Sequence, residues 1–106
     1  MIVEIRTYRL KPGTAEDFVA VMRNQAAPLL AAAGLDVVAC GRSLVDHDAY
    51  LIRAFASLEE RDAQEDAFYG SAVWREGPRE AIVSCIESYH TVVVELDKAV
   101  VDGMRR

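Results

Sequence analysis

Residues 1–18, MIVEIRTYRLKPGTAEDF, decide the fold: they read as a strand, a turn and the start of a helix. Between Ile2 and Leu10 the side chains alternate, with Val3, Ile5 and Thr7 on one face and Glu4, Arg6 and Tyr8 on the other. The first face suits burial against helices. The second puts a carboxylate, a guanidinium and a phenol in a row on a strand expected mid-sheet, so it is either solvated or the lining of a polar cavity. Lys11-Pro12-Gly13 is a turn, and Thr14 followed by Asp17 has the form of a capping box with Asp in place of Glu.

Outward from that stretch, Phe18, Val21, Met22, Ala26, Leu29 and Ala33 recur at spacings of three and four, the stripe of a helix starting near Ala15. Pro28 should bend that helix or end its regular part, and Gly34 should stop it. Leu35–Val45 and Ala49–Ala56 read as a hairpin joined through Asp46-His47-Asp48; in its second strand Leu51, Arg53 and Phe55 share a face opposite Tyr50, Ile52 and Ala54. Ser57-Leu58-Glu59-Glu60 is a capping box that opens a second helix. Its charges (Glu59, Glu60, Arg61, Asp62, Glu65, Asp66) suggest a solvated face, which leaves Leu58, Ala63, Ala67 and Phe68 as the buried one. Tyr69-Gly70-Ser71 breaks it, a short piece holds Trp74, Gly77-Pro78 restarts a last helix to about Cys85, and Ile86–Leu96 is the final strand. The residues from Asp97 on show only weak helical patterning and read as a loosely attached tail of one domain, 1–106.

This order, strand, helix, strand, strand, helix, strand, predicts an α+β, ferredoxin-like βαββαβ fold with an antiparallel four-stranded sheet and helices on one face. The helix-free face would carry Glu4, Arg6, Tyr8, Arg53 and Phe55, and two such sheets packed face to face would close a dimeric α/β barrel around that row. A domain of 106 residues is near the size at which an uncovered sheet face leaves much apolar surface wet, which argues for a homodimer.

Composition excludes several functions. A net charge of −5 without a basic stripe argues against nucleic acid, and no apolar run approaches the roughly 18 residues of a membrane span. Met1 runs directly into the first strand with no signal segment, and Cys40 and Cys85 lack metal-ligand or CxxC spacing; both point to a cytoplasmic protein with reduced thiols. His47 between two aspartates reads as a solvated turn, since three adjacent turn residues seldom converge on one ion, so neither a metal nor a cofactor is expected.

The segments IVEIRTYRLKPGTAEDF, YLIRAFASLEERDAQEDAFYGSAVW and ESYHTVVVEL together resemble the NIPSNAP family of the dimeric α/β-barrel superfamily, over roughly residues 2–97. The most specific part is Glu4-x-Arg6-x-Tyr8 followed by Pro12-Gly13. The resemblance implies a homodimer with the topology above. It also opens, by analogy with the superfamily, a cofactor-independent enzyme of the monooxygenase or isomerase type; the missing catalytic signature supports the alternative, a non-catalytic dimeric binding or adaptor module.

For chemistry, Glu4 and Arg6 lie about 7 Å apart along one strand face, where Arg6 could orient an anion with Glu4 as its partner or as a base. Arg53 adds a second guanidinium that a single carboxylate cannot also neutralise, leaving positive charge for a small organic anion, aromatic or polyketide-like. Tyr8, Phe55, Trp74 and Tyr89 could wall the pocket. His90 is the acid-base candidate by its titration range; if Val92 and Val94 point at the helices it goes with them, and Tyr89 and Thr91 face the cavity.

Overall fold

Residues 1–105 are described by the computed structural model. The strand β1 (Ile2–Leu10) lies mid-sheet, antiparallel to β3 (Ala49–Phe55) on one side and β4 (Ile86–Glu95) on the other; β2 (Asp36–Arg42) completes the order β2-β3-β1-β4. The helices are α1 (Ala15–Val21), α2 (Ala27–Ala32), α3 (Leu58–Tyr69), α4 (Ala72–Arg75), α5 (Arg79–Val83) and α6 (Lys98–Met104). This is the α+β, ferredoxin-like arrangement expected from the order of elements.

Local chemistry accounts for most boundaries. Gly13 and Gly34 take left-handed φ values of 80° and 88°, which favour glycine, at the turn before α1 and at the stop after α2. Between α1 and α2 the helix widens into a π-helical turn, Met22–Ala26, just ahead of Pro28. A proline there lacks the amide and would collide with the carbonyl four residues back, and the wider turn relieves both problems without ending the helix. Thr14 does not cap α1: its hydroxyl donates to the Lys11 carbonyl at 2.7 Å instead. Ser57 does cap α3, its Oγ accepting from the Glu60 amide at 3.1 Å while the Glu60 carboxylate accepts from the Ala56 amide at 3.1 Å. Ser57→Ala should therefore cost about 1 kcal/mol, read as a lower urea midpoint with an unchanged slope.

The faces of the sheet are reversed from the expectation. Register pairs Glu4 with Arg53 and Val93, Arg6 with Leu51 and Thr91, and Tyr8 with Ala49 and Tyr89, so these residues share one face. That face looks toward α1–α5, where Tyr8, Leu51 and Phe55 pack with Phe18, Met22, Phe68 and Trp74 in the main core. The opposite face carries Val3, Ile5 and Thr7 beside Ala54, Ile52, Val94, Val92 and His90. Period-2 alternation sorted the residues into the right two sets; hydrophobicity then assigned the apolar set to the wrong side. The polar row is consequently inside the protomer and not at a seam between two sheets.

The stretch after Asp97, read as a loose tail, forms α6 across this opposite face. Val101 is fully buried among Val3, Val38 and Ala54, and Arg105 grips Asp36 with two hydrogen bonds of 2.7 and 2.8 Å. Its pattern looked weak because a helix lying over one short patch needs only a narrow apolar contact.

Candidate functional site

A guanidinium in the middle of a core must be paired, and Arg53 and Glu4, both 0% exposed, meet across β3 and β1. Arg53 Nε donates to Glu4 Oε2 at 2.9 Å, and Nη2 donates to the same oxygen. From above, Arg61 on α3 reaches Glu4 Oε1 with Nε at 3.1 Å and Nη2 at 2.7 Å. Arg6 makes the looser contacts: Nε donates to Thr91 Oγ1 at 3.0 Å, while Nη2 lies 3.5 Å from Glu4 Oε1 and 3.5 Å from Glu65 Oε1. Three guanidiniums thus face two carboxylates on the inside, and the third carboxylate of the cluster, Asp62, is exposed and accepts from Arg61 Nη1 at 3.1 Å.

The two carboxylates are driven apart. Burial works to raise Glu4, but Arg53, a hydrogen bond shared with Glu65, and the donors of Arg61 and Arg6 overcome it and hold Glu4 at about 2. Glu65 is pushed up to about 6, first by burial and then by the neighbouring Glu4. Its Oε2 is buried and accepts no hydrogen bond among the described residues: Arg61 Nε is 3.1 Å away but is aimed at Glu4. Glu65 has a folded value above its ordinary 4.5, so its contribution to stability is full below pH 4.5 and is lost as pH rises through about 6. Glu65→Gln removes that dependence, and its stability relative to the parent should improve by about 2 kcal/mol between pH 4 and pH 8, measured by urea unfolding.

Beside this cluster lies a cavity of about 320 Å³ between the sheet and the helices. Arg6, Tyr8, Leu51, Ile86 and Tyr89 form its floor; Met22, Ala26 and Leu30 form one wall; Glu65, Asp66, Phe68, Tyr69, Trp74, Ile82 and Val83 close the rest. The aromatic rings brace one another, with Tyr69 and Trp74 edge to face at 5.2 Å and Tyr8 4.9 Å from Phe18. Tyr89, 61% exposed on the edge strand β4, sits at the mouth with the Arg6 guanidinium 4.9 Å over its ring. Burial pushes the Tyr8 phenol well above its usual range, so it stays protonated.

Of the residues singled out from sequence, Arg6, Tyr8, Trp74 and Tyr89 line this cavity. Glu4 and Arg53 lie beneath it, bound to each other, and Glu4 at about 2 is too weak a base for proton abstraction near neutral pH. Phe55 is a core side chain paired with Ile2 at the far end of β3. His90 pairs with Thr7 on the opposite face of the sheet, so it does not meet Glu4 or Arg6; it does travel with Val92 and Val94, but these face away from α1–α5. Glu65 and Tyr69 were missed. Their signal was the spacing Arg61, Glu65, Phe68, Tyr69 along one helical stripe, of which Arg61 and Glu65 read in sequence as a solvated face and Tyr69 as part of the break after the helix. Among the described residues no group of three or more His, Cys, Asp or Glu could hold a metal ion, and His47 is exposed in its turn, where the Asp48 amide donates to Asp46 Oδ1 at 2.9 Å.

Comparison with known proteins places this geometry. No curated protein matches the chain. An uncharacterised NIPSNAP domain protein of Burkholderia xenovorans is similar in structure, with a TM-score of 0.79 at 21% identity over 92% of this chain and 96% of that one. A NIPSNAP family protein of unknown function from Agrobacterium tumefaciens gives 0.81 at 24% identity over 89% and 86%. A Bordetella bronchiseptica protein, provisionally named an antibiotic biosynthesis monooxygenase, gives 0.72 at 25% identity over 91% and 96%. The NIPSNAP family model matches residues 3–96, which takes in all four strands and the helices between them, and the chain belongs to that family.

Proposed function

We propose that the cavity binds a small organic anion, aromatic or polyketide-like, and that Glu65 abstracts a proton from it without a cofactor, as the first step of an isomerase or monooxygenase type of reaction. One observation carries this reading: a half-buried carboxylate tuned to about 6, one of whose oxygens accepts no hydrogen bond among the described residues, borders an apolar cavity beside a guanidinium that is only loosely paired. A base poised near neutrality, an adjacent cation for the resulting enolate or phenolate, and aromatic walls for a flat ring are the parts such a step needs. The monooxygenase name of the Bordetella bronchiseptica neighbour agrees with it.

Two measurements test the reading. Naphthoate should quench Trp74 fluorescence, and Arg6→Met should weaken that binding about tenfold or more, the worth of a hydrogen bond to a charged group. Deuterium from solvent should wash into the enolisable carbon of a polycyclic ketone such as anthrone, followed by NMR. A folded protein that neither binds nor exchanges would support the second reading, a binding or adaptor module, which is favoured by Leu44 and Val45, 98% and 91% exposed at the β2–β3 hairpin tip.

Self-association is part of the proposal. With the polar row inside the protomer, the surface offered to a second copy is the opposite face beyond α6, where Ile5 and Ile52 are half-buried and Val92 is exposed, together with the β4 edge. Sedimentation at micromolar concentration should give a homodimer; a clean monomer of 11.7 kDa would sink the idea.

A further inference from the structure

We infer that Tyr69 is the hydrogen-bond donor to the reacting oxygen of the substrate, its hydroxyl polarised by the buried Arg53 guanidinium behind it. The inference rests on the cavity reading above and assigns a role that the reading leaves open: what holds the oxygen on which charge appears.

The donors of Arg53 are divided between carboxylates and a phenol. Its Nε and Nη2 are occupied by Glu4, with Glu65 Oε1 3.4 Å from Nη2, while Nη1 donates to the Tyr69 hydroxyl oxygen at 2.6 Å. A guanidinium has no acceptor, so the phenol proton must point elsewhere. Among the described residues that hydroxyl donates to no protein group. Tyr69 borders the cavity, fixed by its edge-to-face contact with Trp74 and its contact with Phe68 at 5.2 Å. An oxygen that accepts from a cation becomes a stronger donor through its own proton. The chain Arg53, Tyr69, cavity therefore delivers the influence of a fully buried charge to a ligand without exposing the charge itself. In the step proposed, the C–H proton passes to the Glu65 carboxylate, the C–H electron pair becomes the C=C bond of the enolate, the C=O π pair moves onto the carbonyl oxygen, and the Tyr69 O–H holds that oxygen. Tyr8 is the internal comparison: its hydroxyl belongs to the same cavity, but the cation beside it is the partly exposed Arg6 and not the fully buried Arg53.

The test uses the full chain with a nitronaphthol, whose phenolate absorbs visible light, and with anthrone exchange. The parent should lower the pKa of the bound nitronaphthol below its solution value. Tyr69→Phe should raise it back by about one unit, a tenfold change in ionisation. The same variant should lower the exchange kcat about a hundredfold with KM little altered; Tyr8→Phe should do less in both assays. A bound-probe pKa and kcat in folded Tyr69→Phe equal to the parent would overturn the inference while leaving the cavity reading intact. Because Tyr69→Phe strips an acceptor from a buried guanidinium and can unfold the chain, 3-fluorotyrosine at position 69 provides the second arm. It keeps the hydroxyl and sharpens its acidity, so it should lower the bound-probe pKa further, and no shift would overturn the assignment. A parent that neither binds the probe nor exchanges would remove the cavity reading and this inference together.

Discussion

Glu4→Ala is expected to lower stability by about 3–5 kcal/mol, the largest loss anticipated for any single substitution on β1. The reason is not the worth of the ion pair, whose attraction is mostly offset by the cost of taking both groups out of water. The loss arises because Arg53, with no exposed surface, would keep its charge, lose the acceptor of Nε and keep only the long 3.4 Å contact of Nη2 with Glu65, while Arg61 would lose its hold on the sheet. In a domain of this size, where each kcal/mol moves the melting temperature by roughly 4–8 °C, thermal unfolding should start more than ten degrees earlier. Removing the charge as well reverses most of this: Glu4→Met combined with Arg53→Met should be far closer to the parent than Glu4→Ala alone, since apolar replacement of a whole buried pair is often neutral. A Glu4→Ala protein within 1 kcal/mol of the parent would contradict the structural role given to this pair.

Glu65→Gln carries the largest expected effect on chemistry. Gln keeps the shape and cannot take a proton, so anthrone exchange should fall by about 10²–10⁴, the usual contribution of a positioned base. The fold should survive, because the substitution removes a buried like-charge neighbour of Glu4 and is stabilising at alkaline pH by the linkage given above. In the parent, exchange should climb tenfold per pH unit below about 6 and level off above it, following ionisation of the Glu65 carboxyl. A flat profile, or a Glu65→Gln protein that exchanges at the parental rate, would move the base elsewhere.

The order of strands and helices, the Ser57 cap and the grouping of Glu4, Arg6, Tyr8 and Arg53 on one face all follow from local rules, periodicity and capping, which depend on near neighbours only. The side of the sheet that this group faces depends on what α3 presents to it. Along α3 the half-buried and buried positions are Glu60, Arg61, Gln64, Glu65, Phe68 and Tyr69, whereas Leu58, Ala63 and Ala67 are exposed. A helix that buries charge against charge carries no apolar stripe, so hydrophobicity picks the wrong face, and the partner of each charge lies on another element. Glu65 escaped notice for the same reason. One clue was available: Glu4 and Arg53 on a central sheet face needed further polar partners, and α3, with Glu59, Glu60, Arg61, Asp62, Glu65 and Asp66, had them.

Arg6 and Thr91, hydrogen-bonded at 3.0 Å, are 85 positions apart in sequence, and the Met1 amino group donates to the Leu96 carbonyl at 2.7 Å. β1 is made first yet must wait for β4 to pair its second side. During that interval the strand that carries Glu4 and Arg6 has an open edge, and the floor of the cavity lacks Tyr89 and Ile86. Closing so long a loop is entropically slow, so folding should be limited by docking of β4, and an intermediate with β1 unpaired on one side is the species most exposed to aggregation.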